Sequence, residues 1–142
     1  MHWTKQQSKA ISTTGTLCVS ASAGTGKTAV LTERVVQQVL HGTDILNILV
    51  LTFSENAAKE VKARVQSRFF EMLKDDSLSL QKKNVIQYQL SKFQCAHFNT
   101  FHGFCLELIR SNHFFLGLPD KLHTDPNRNL ILLQQSIKNV IA

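Results

Sequence analysis

Four residues in the stretch ASAGTGKT (21–28) have the types and the spacing that hold a polyphosphate: Gly24, Gly26, Lys27 and Thr28. In such a loop, successive backbone N–H groups turn into one concavity, and the helix that follows adds the partial positive charge of its N-terminus. A lysine then reaches the outer phosphates while a hydroxyl binds magnesium. The strict pattern G-x-x-x-x-G-K-[ST] asks for glycine where Ala21 stands, so the match is one residue short. Its context is the required one. TLCVS (16–20) reads as a buried strand, and KTAVLTERVVQQVL (27–40) reads as a helix with Val30, Leu31, Val35, Val39 and Leu40 on one face and Gly42 placed to stop it. The competing reading, a chance AGTGKT in a flexible turn, does not require that setting.

Two further clusters lie just after predicted strands. NILVLTF (47–53) is a continuous apolar run ending in Thr52 and Phe53, and QCAHF (94–98) is followed by Thr100, Phe101 and His102. In an open α/β sheet, ligands collect at the carboxyl ends of strands, which predicts that these two clusters and the phosphate loop share one edge. Phe53 and Phe101 can offer flat faces to unstacked bases, while Thr52, Thr100 and His102 can bond phosphate or sugar. The competing reading for Phe101 is core packing, in phase with Phe104, Cys105 and Leu108, and for His102 an interior histidine. Gln7 carries an acceptor and two donors on one amide, enough to pair with the N6 and N7 edge of adenine. On spacing alone, a surface glutamine on a short helix explains it as well.

The elements that must position these residues alternate. A helix is predicted from Thr4, as N-cap, through Ile11, with a turn at Thr13-Thr14-Gly15. Ser54 caps a long helix with Ala57, Val61, Val65 and Phe69 at four-residue spacing. Residues 78–92 read as a more polar helix, and TFHGFCLELIR starts another, with Phe101, Phe104, Cys105, Leu108 and Ile109 on one face. Alternating strands and helices predict an α/β fold with a parallel sheet covered on both sides. Asp125-Pro126 starts a last helix whose Leu130, Leu133, Ile137, Val140 and Ile141 keep their period to the final residues, so the chain is read as the N-terminal piece of a longer one.

Composition sets the bounds. The 142 residues suit one domain, and 16 Lys and Arg against 10 Asp and Glu give a formal charge of +6, which favours anionic partners. Cys18, Cys95 and Cys105 are odd in number and lack C-x-x-C spacing, which predicts reduced, buried thiols rather than a disulfide framework or a zinc site. The N-terminus has no apolar signal core and no run reaches membrane-spanning length, so a soluble, cytoplasmic chain is expected. Lys59, Lys62, Arg64 and Arg68, interleaved with Glu60 and Glu71, read as a solvated, salt-bridged helix face.

The segment VSASAGTGKTAVLTERV resembles the first motif of the UvrD/Rep-like superfamily 1 DNA helicases, in which alanine at the first loop position is ordinary. WTKQQSKAI resembles that family's upstream glutamine motif, LTFSENAAKEVKARV the motif after the second strand, and NTFHGFCLELIR the next DNA-contacting motif. Trp3-Thr4, ASAGTGKT and TFHGFC look closest to the AddA/RecB helicase-nuclease branch, whose work is double-strand break repair. The resemblance covers residues 3 to about 110.

The resemblance implies a P-loop NTPase (RecA-like) parallel sheet flanked by helices, with 1–110 as the start of a first motor domain and 111–142 as the start of a helical insertion. It implies ATP and magnesium as cofactors. Gln7, Ala23, Gly24, Thr25, Gly26, Lys27, Thr28 and Ala29 would bind the nucleotide, Lys27 and Thr28 would act in catalysis, and Thr28 would hold Mg2+. Thr52, Phe53, Thr100, Phe101 and His102 would contact single-stranded DNA, and a partner subunit of a helicase-nuclease complex is implied, with no membrane partner.

Phosphoryl transfer to water also needs a metal-supporting acid, a water-positioning carboxylate and usually an arginine. In the resembling helicases, these lie downstream. This chain has no Asp-Glu pair, and Asp44, Asp75, Asp76, Asp120 and Asp125 fall away from strand ends. Negligible hydrolysis by the segment itself is therefore expected. A nucleotide-gated single-strand binding module without catalysis is the alternative, and a small-molecule kinase of the phosphate-loop type leaves Gln7 and both Thr-Phe clusters unexplained.

Overall fold

A computed structural model of the chain describes residues 2–22 and 24–118; the expected last helix from Asp125 and the loop residue Ala23 lie outside them. The chain divides into two units, one ending at His102 and one beginning at Gly103.

The first unit opens with α1 (Lys5–Ser12). Thr4 caps it as predicted: its hydroxyl accepts from Gln7 N, and the Gln7 side chain accepts in return from Thr4 N, which satisfies two otherwise orphaned donors at once. The other end of α1 is tied down by Arg34, whose guanidinium donates to Ala10 O at 2.8 Å and Thr13 O at 2.7 Å. Arg34 belongs to α2 (Lys27–Leu40), so the two helices are joined through helix-terminal carbonyls.

After α2, β1 (Leu49–Thr52) leads into α3 (Glu55–Leu73) and α4 (Leu80–Lys92), and β2 (His97–Thr100) returns beside β1 in parallel. Single turns of tighter helix, Ile45–Asn47 and Phe93–Cys95, precede the two strands. A parallel pair needs such a crossover, because its ends lie on opposite edges of the sheet. The fold is thus α/β, with a small parallel sheet flanked by helices. α5 (Phe101–Ser111) begins where β2 stops.

The core of the first unit joins α2, α3, α4 and the sheet. Val50 and Phe98 are register partners, and both are buried, as are Val36, Val65, Phe69 and Phe93. Phe93 is its aromatic centre, edge-on to Phe69 at 6.1 Å and tilted against Phe98 at 5.7 Å. Gln89 is buried there too, and it is satisfied: its Oε1 accepts from Ile45 N at 2.8 Å.

Three sequence expectations need correction. Residues 16–20 form no regular element and pair with no strand among the described residues, and Leu17 and Val19 are 38% and 49% exposed. An apolar run announces a segment able to join a sheet, but only a neighbouring strand makes it one. On α2, Leu31 is exposed and Val36 is fully buried, so the buried stripe is turned from the predicted one. The helix follows its neighbours α3 and α4, whereas Leu31 lines a cavity with Leu17 and Val19. Finally, Cys18, Cys95 and Cys105 are all exposed free thiols.

Asp44 accepts from Lys92 Nζ at 2.6 Å and from Leu46 N, pinning the turn before β1 to the end of α4. The Lys92 hydrogen bond is the main cause that holds the Asp44 carboxyl below its ordinary range, and the same contact holds Lys92 above its own. A lowered carboxylate contributes stability that is present above its unfolded value, about pH 3.9, and is lost as pH falls through the folded value. The raised lysine adds stability below its unfolded value, and that part disappears as pH rises past the folded one. Asp44→Asn should therefore lower the thermal midpoint at neutral pH, and the gap to the unaltered chain should close on acidification. A gap that stays constant into strong acid would contradict this origin.

Candidate functional site

The phosphate loop is built around two left-handed glycines. Gly24 has φ +76° and Gly26 φ +83°, a region that side chains of L-residues rarely enter. Gly26 is also the N-cap of α2, and a Cβ placed on it would stand 3.4 Å from Gln7 Nε2. Glycine at 26 is thus required by the turn, while a Cβ there would only touch the end of the Gln7 side chain. Lys27 Nζ folds back into the loop and donates to Ala21 O at 2.8 Å and Ser22 O at 2.7 Å. An ammonium has three N–H donors. Two fix its position here and one remains, on the residue that opens a 14-residue helix whose first N–H groups lack intrahelical partners.

Thr25 braces the loop, its hydroxyl donating to Ser22 O at 2.7 Å. Thr28 and Ala29 lie half-buried in the first turn of α2, next to Lys27 in sequence and helix. A cavity of about 730 Å³ opens here, lined by Gln7, Thr25, Lys27, Leu17 and Leu31 among others, within the size range of small-molecule sites. Backbone donors, an anchored cation and a hydroxyl together fit a magnesium-bound nucleotide: the loop and Lys27 would hold its phosphates and Thr28 its metal.

Gln7 is placed by the capping box and then reaches the loop. Its Nε2 donates to Thr25 O at 3.2 Å while its Oε1 accepts from Thr4 N at 2.9 Å. Those two partners also settle which end of the amide is oxygen, since one is a donor and the other an acceptor. Nε2 keeps one hydrogen and Oε1 one lone pair. One donor and one acceptor side by side are what the N7 and N6 edge of adenine requires. The surface-glutamine reading therefore gives way to a side chain that joins α1 to the phosphate loop.

The second cluster forms at the end of the sheet. Thr52 and Thr100 are register partners, so both strands stop level and deliver Phe53 and Phe101 to the same edge. Their rings lie 5.6 Å apart at 41°. Phe53 is 96% exposed and Phe101 48%, so the core-packing alternative for Phe101 does not hold. Thr52 donates to Ser54 O at 2.8 Å, which shapes the turn below Phe53, and His102 is exposed beside Phe101. Only two of the three expected loops meet through the sheet, because the segment before the phosphate loop joins no strand among the described residues.

Spacing did not reveal one polar network. Glu33 on α2 is buried and accepts from Gln37 Nε2 at 2.9 Å and from Arg68 Nε at 3.1 Å. Arg68 also binds Glu71 at 3.2 Å. Burial works against the charge of Arg68, but the Glu33 hydrogen bond and charge outweigh it and the guanidinium is held above its ordinary value. The expected solvated face holds for Arg64 with Glu60 and for Lys59 with Glu55, exposed pairs of small energetic weight. It fails for Arg68. The sequence held no signal for this network, since Glu33 is one of several polar residues along 27–40.

A family model described as UvrD/REP helicase N-terminal domain matches residues 3–141 of this chain. The chain belongs to that family. It is similar to an ATP-dependent helicase/nuclease subunit of Pediococcus pentosaceus, 37% identical over 132 residues, covering 92% of this chain and 11% of that protein. To the protein of the same name from Staphylococcus aureus it is 39% identical over 142 residues, 98% of this chain and 11% of the other. The chain thus spans about a tenth of the length of the curated relatives it matches. Family membership places the two-stranded sheet, its helices and the glycine-rich loop in the P-loop NTPase class, and the relatives' names agree with the resemblance to the helicase-nuclease branch. No helix among the described residues is long and apolar enough to cross a membrane.

Proposed function

We propose that this chain is the ATP-cradling and single-strand-contacting start of an ATP-dependent DNA helicase in the helicase-nuclease branch, acting in double-strand break repair with a partner subunit in the cytoplasm. Residues 1–110 form the first part of a motor domain and 111–142 start a helical insertion. Nucleotide is held by Gln7, Ala23, Gly24, Thr25, Gly26, Lys27, Thr28 and Ala29, with Lys27 stabilising the transferring phosphate and Thr28 binding Mg2+. The observation that carries this reading is the hydrogen bond from Gln7 to Thr25 O, which ties a base-reading amide to the loop that would hold the phosphates. When MgATP is bound, it supplies the free energy of phosphoryl transfer. The carboxylates and arginine needed for hydrolysis come from elsewhere in the working enzyme, so the 142-residue chain should release phosphate negligibly.

Thr52, Phe53, Thr100, Phe101 and His102 contact the single strand. The tilt and short separation of the two rings leave no slot for a base between them, so a base stacks on the open face of Phe53 while the hydroxyls and His102 take the backbone. Titrating the chain against a fluorescent oligothymidine tests this. Phe53→Ala should weaken binding by about 5- to 150-fold, the equivalent of the ~1–3 kcal/mol of one stacked base. Affinity should also fall as salt rises, because phosphate contacts release counterions. Equal anisotropy curves for the altered and unaltered chains would remove Phe53 from the interface.

A further inference from the structure

Gln7 reaches the phosphate loop from a helix with little packing of its own. α1 has 8 residues, and Ala10 alone among them is buried. Helices of that length are marginal unless tertiary contacts hold them, so polar ties carry much of its placement. One tie is the bond from Gln7 Nε2 to Thr25 O, at 3.2 Å the long end of the ordinary range. The other is Arg34, part-buried on α2, whose Nη1 donates to Ala10 O at 2.8 Å and Thr13 O at 2.7 Å and stands 3.4 Å from Ile11 O. These carbonyls close α1, where intrahelical donors run out and the partial negative charge of the helix gathers. A guanidinium answers both needs, with bonds stronger than those of a neutral donor. Arg34 also lines the nucleotide cavity together with Gln7 and Lys27.

The capping box makes the placement of α1 matter to a bound base. Gln7 Oε1 is held by Thr4 N, so the amide turns with α1 as one body, and its free hydrogen and lone pair point where α1 points. Ala10 lies one turn further on, roughly 4.5 Å along the axis. Releasing the carbonyls at that end lets the amide swing, and hydrogen bonds weaken steeply with misalignment.

We propose that Arg34 is the positioning residue for adenine recognition: by clamping the last carbonyls of α1, it holds Gln7 in register with a base whose phosphates lie on the Lys27 loop. The inference rests on the nucleotide reading of that loop. Arg34 acts through Gln7 and not on the nucleotide itself.

Calorimetric titration with MgATP and with magnesium tripolyphosphate, which has no base, tests this. Arg34→Met keeps an aliphatic stem and removes every donor. It should weaken MgATP by about tenfold, the loss of a charged hydrogen bond, because Gln7 then holds its place only part of the time. Tripolyphosphate should stay within about twofold, as for an independent site. In a Gln7→Ala background, Arg34→Met should cost MgATP no more than about twofold, because the residue it acts through is gone. If Arg34→Met does not fold, Arg34→Lys, which keeps the charge but loses the planar fork, goes through the same titrations and should lose about threefold for MgATP alone.

Equal losses for the two ligands would make Arg34 a phosphate contact or a general prop of the fold. An undiminished loss in Gln7→Ala would show that it acts by another route. Either overturns the proposal, as does an unaltered chain that binds both ligands while Arg34→Met binds MgATP equally well. An unaltered chain that binds neither ligand overturns the nucleotide reading, and this inference with it.

Discussion

Lys27→Ala should weaken the binding of MgATP by about 10- to 150-fold, from the ~1.5–3 kcal/mol attached to a hydrogen bond with a charged group. The side chain is the cation of the loop and also closes it, through its bonds to Ala21 O and Ser22 O. Removing it takes away the charge facing the phosphates and the contact that shapes their cradle. In a longer protein carrying this segment, hydrolysis should fall by about 10²- to 10³-fold, the loss seen when one pre-placed electrostatic donor is deleted. Because Lys27 is exposed, the thermal midpoint should hardly move. That separates a lost binding group from a lost fold. An altered chain that takes up MgATP like the original would place the phosphates elsewhere.

Phe69→Ala should be among the most damaging changes to stability. Its ring is fully buried among α3, α4 and the sheet, edge-on to Phe93. Truncating a buried phenylalanine costs about 3–5 kcal/mol through lost burial and the cavity left behind. That is a large part of the roughly 5–15 kcal/mol by which domains are stable. With a slope near 1–3 kcal/mol per molar urea, the unfolding midpoint should drop by about 2 M or the chain should fail to fold. Phe70, the next residue, is 49% exposed, and Phe70→Ala should stay within about 1 kcal/mol of the original. Similar losses at the two positions would mean that α3 is not rotated as described.

What can be read from the sequence divides along a physical line. Local signals are legible. Thr4 and Ser54 read as caps, and both accept from the backbone of the first turn. The clusters at the ends of the expected strands 47–53 and 94–98 meet at one sheet edge, although β1 is shorter than its apolar run and β2 lies further along the chain than expected, at His97–Thr100, because residues 93–95 form a helical turn. Signals that depend on a distant partner are not legible. Residues 16–20 have strand composition, but no composition states whether a neighbour is present. Leu31 and Val36 exchange their expected places because α3 and α4, not the helix's own period, choose the buried stripe. Arg68 looks like one charge in a solvated row, and its partner Glu33 lies 35 residues away in sequence. The capping role of Gln7 can be seen in T-x-x-Q, but its bond to Thr25 O needs the folded loop.

The proposed function depends on an adenine nucleotide being held by the Lys27 loop and read by Gln7. Calorimetric titration of the 142-residue chain with MgATP and with MgGTP, repeated on Gln7→Ala, tests it most directly. The expected result is one saturable site that prefers MgATP by about 5- to 150-fold, the ~1–3 kcal/mol of a two-bond base contact, with the preference lost in Gln7→Ala. No heat with either nucleotide, or equal affinity for the two in the unaltered chain, would contradict it.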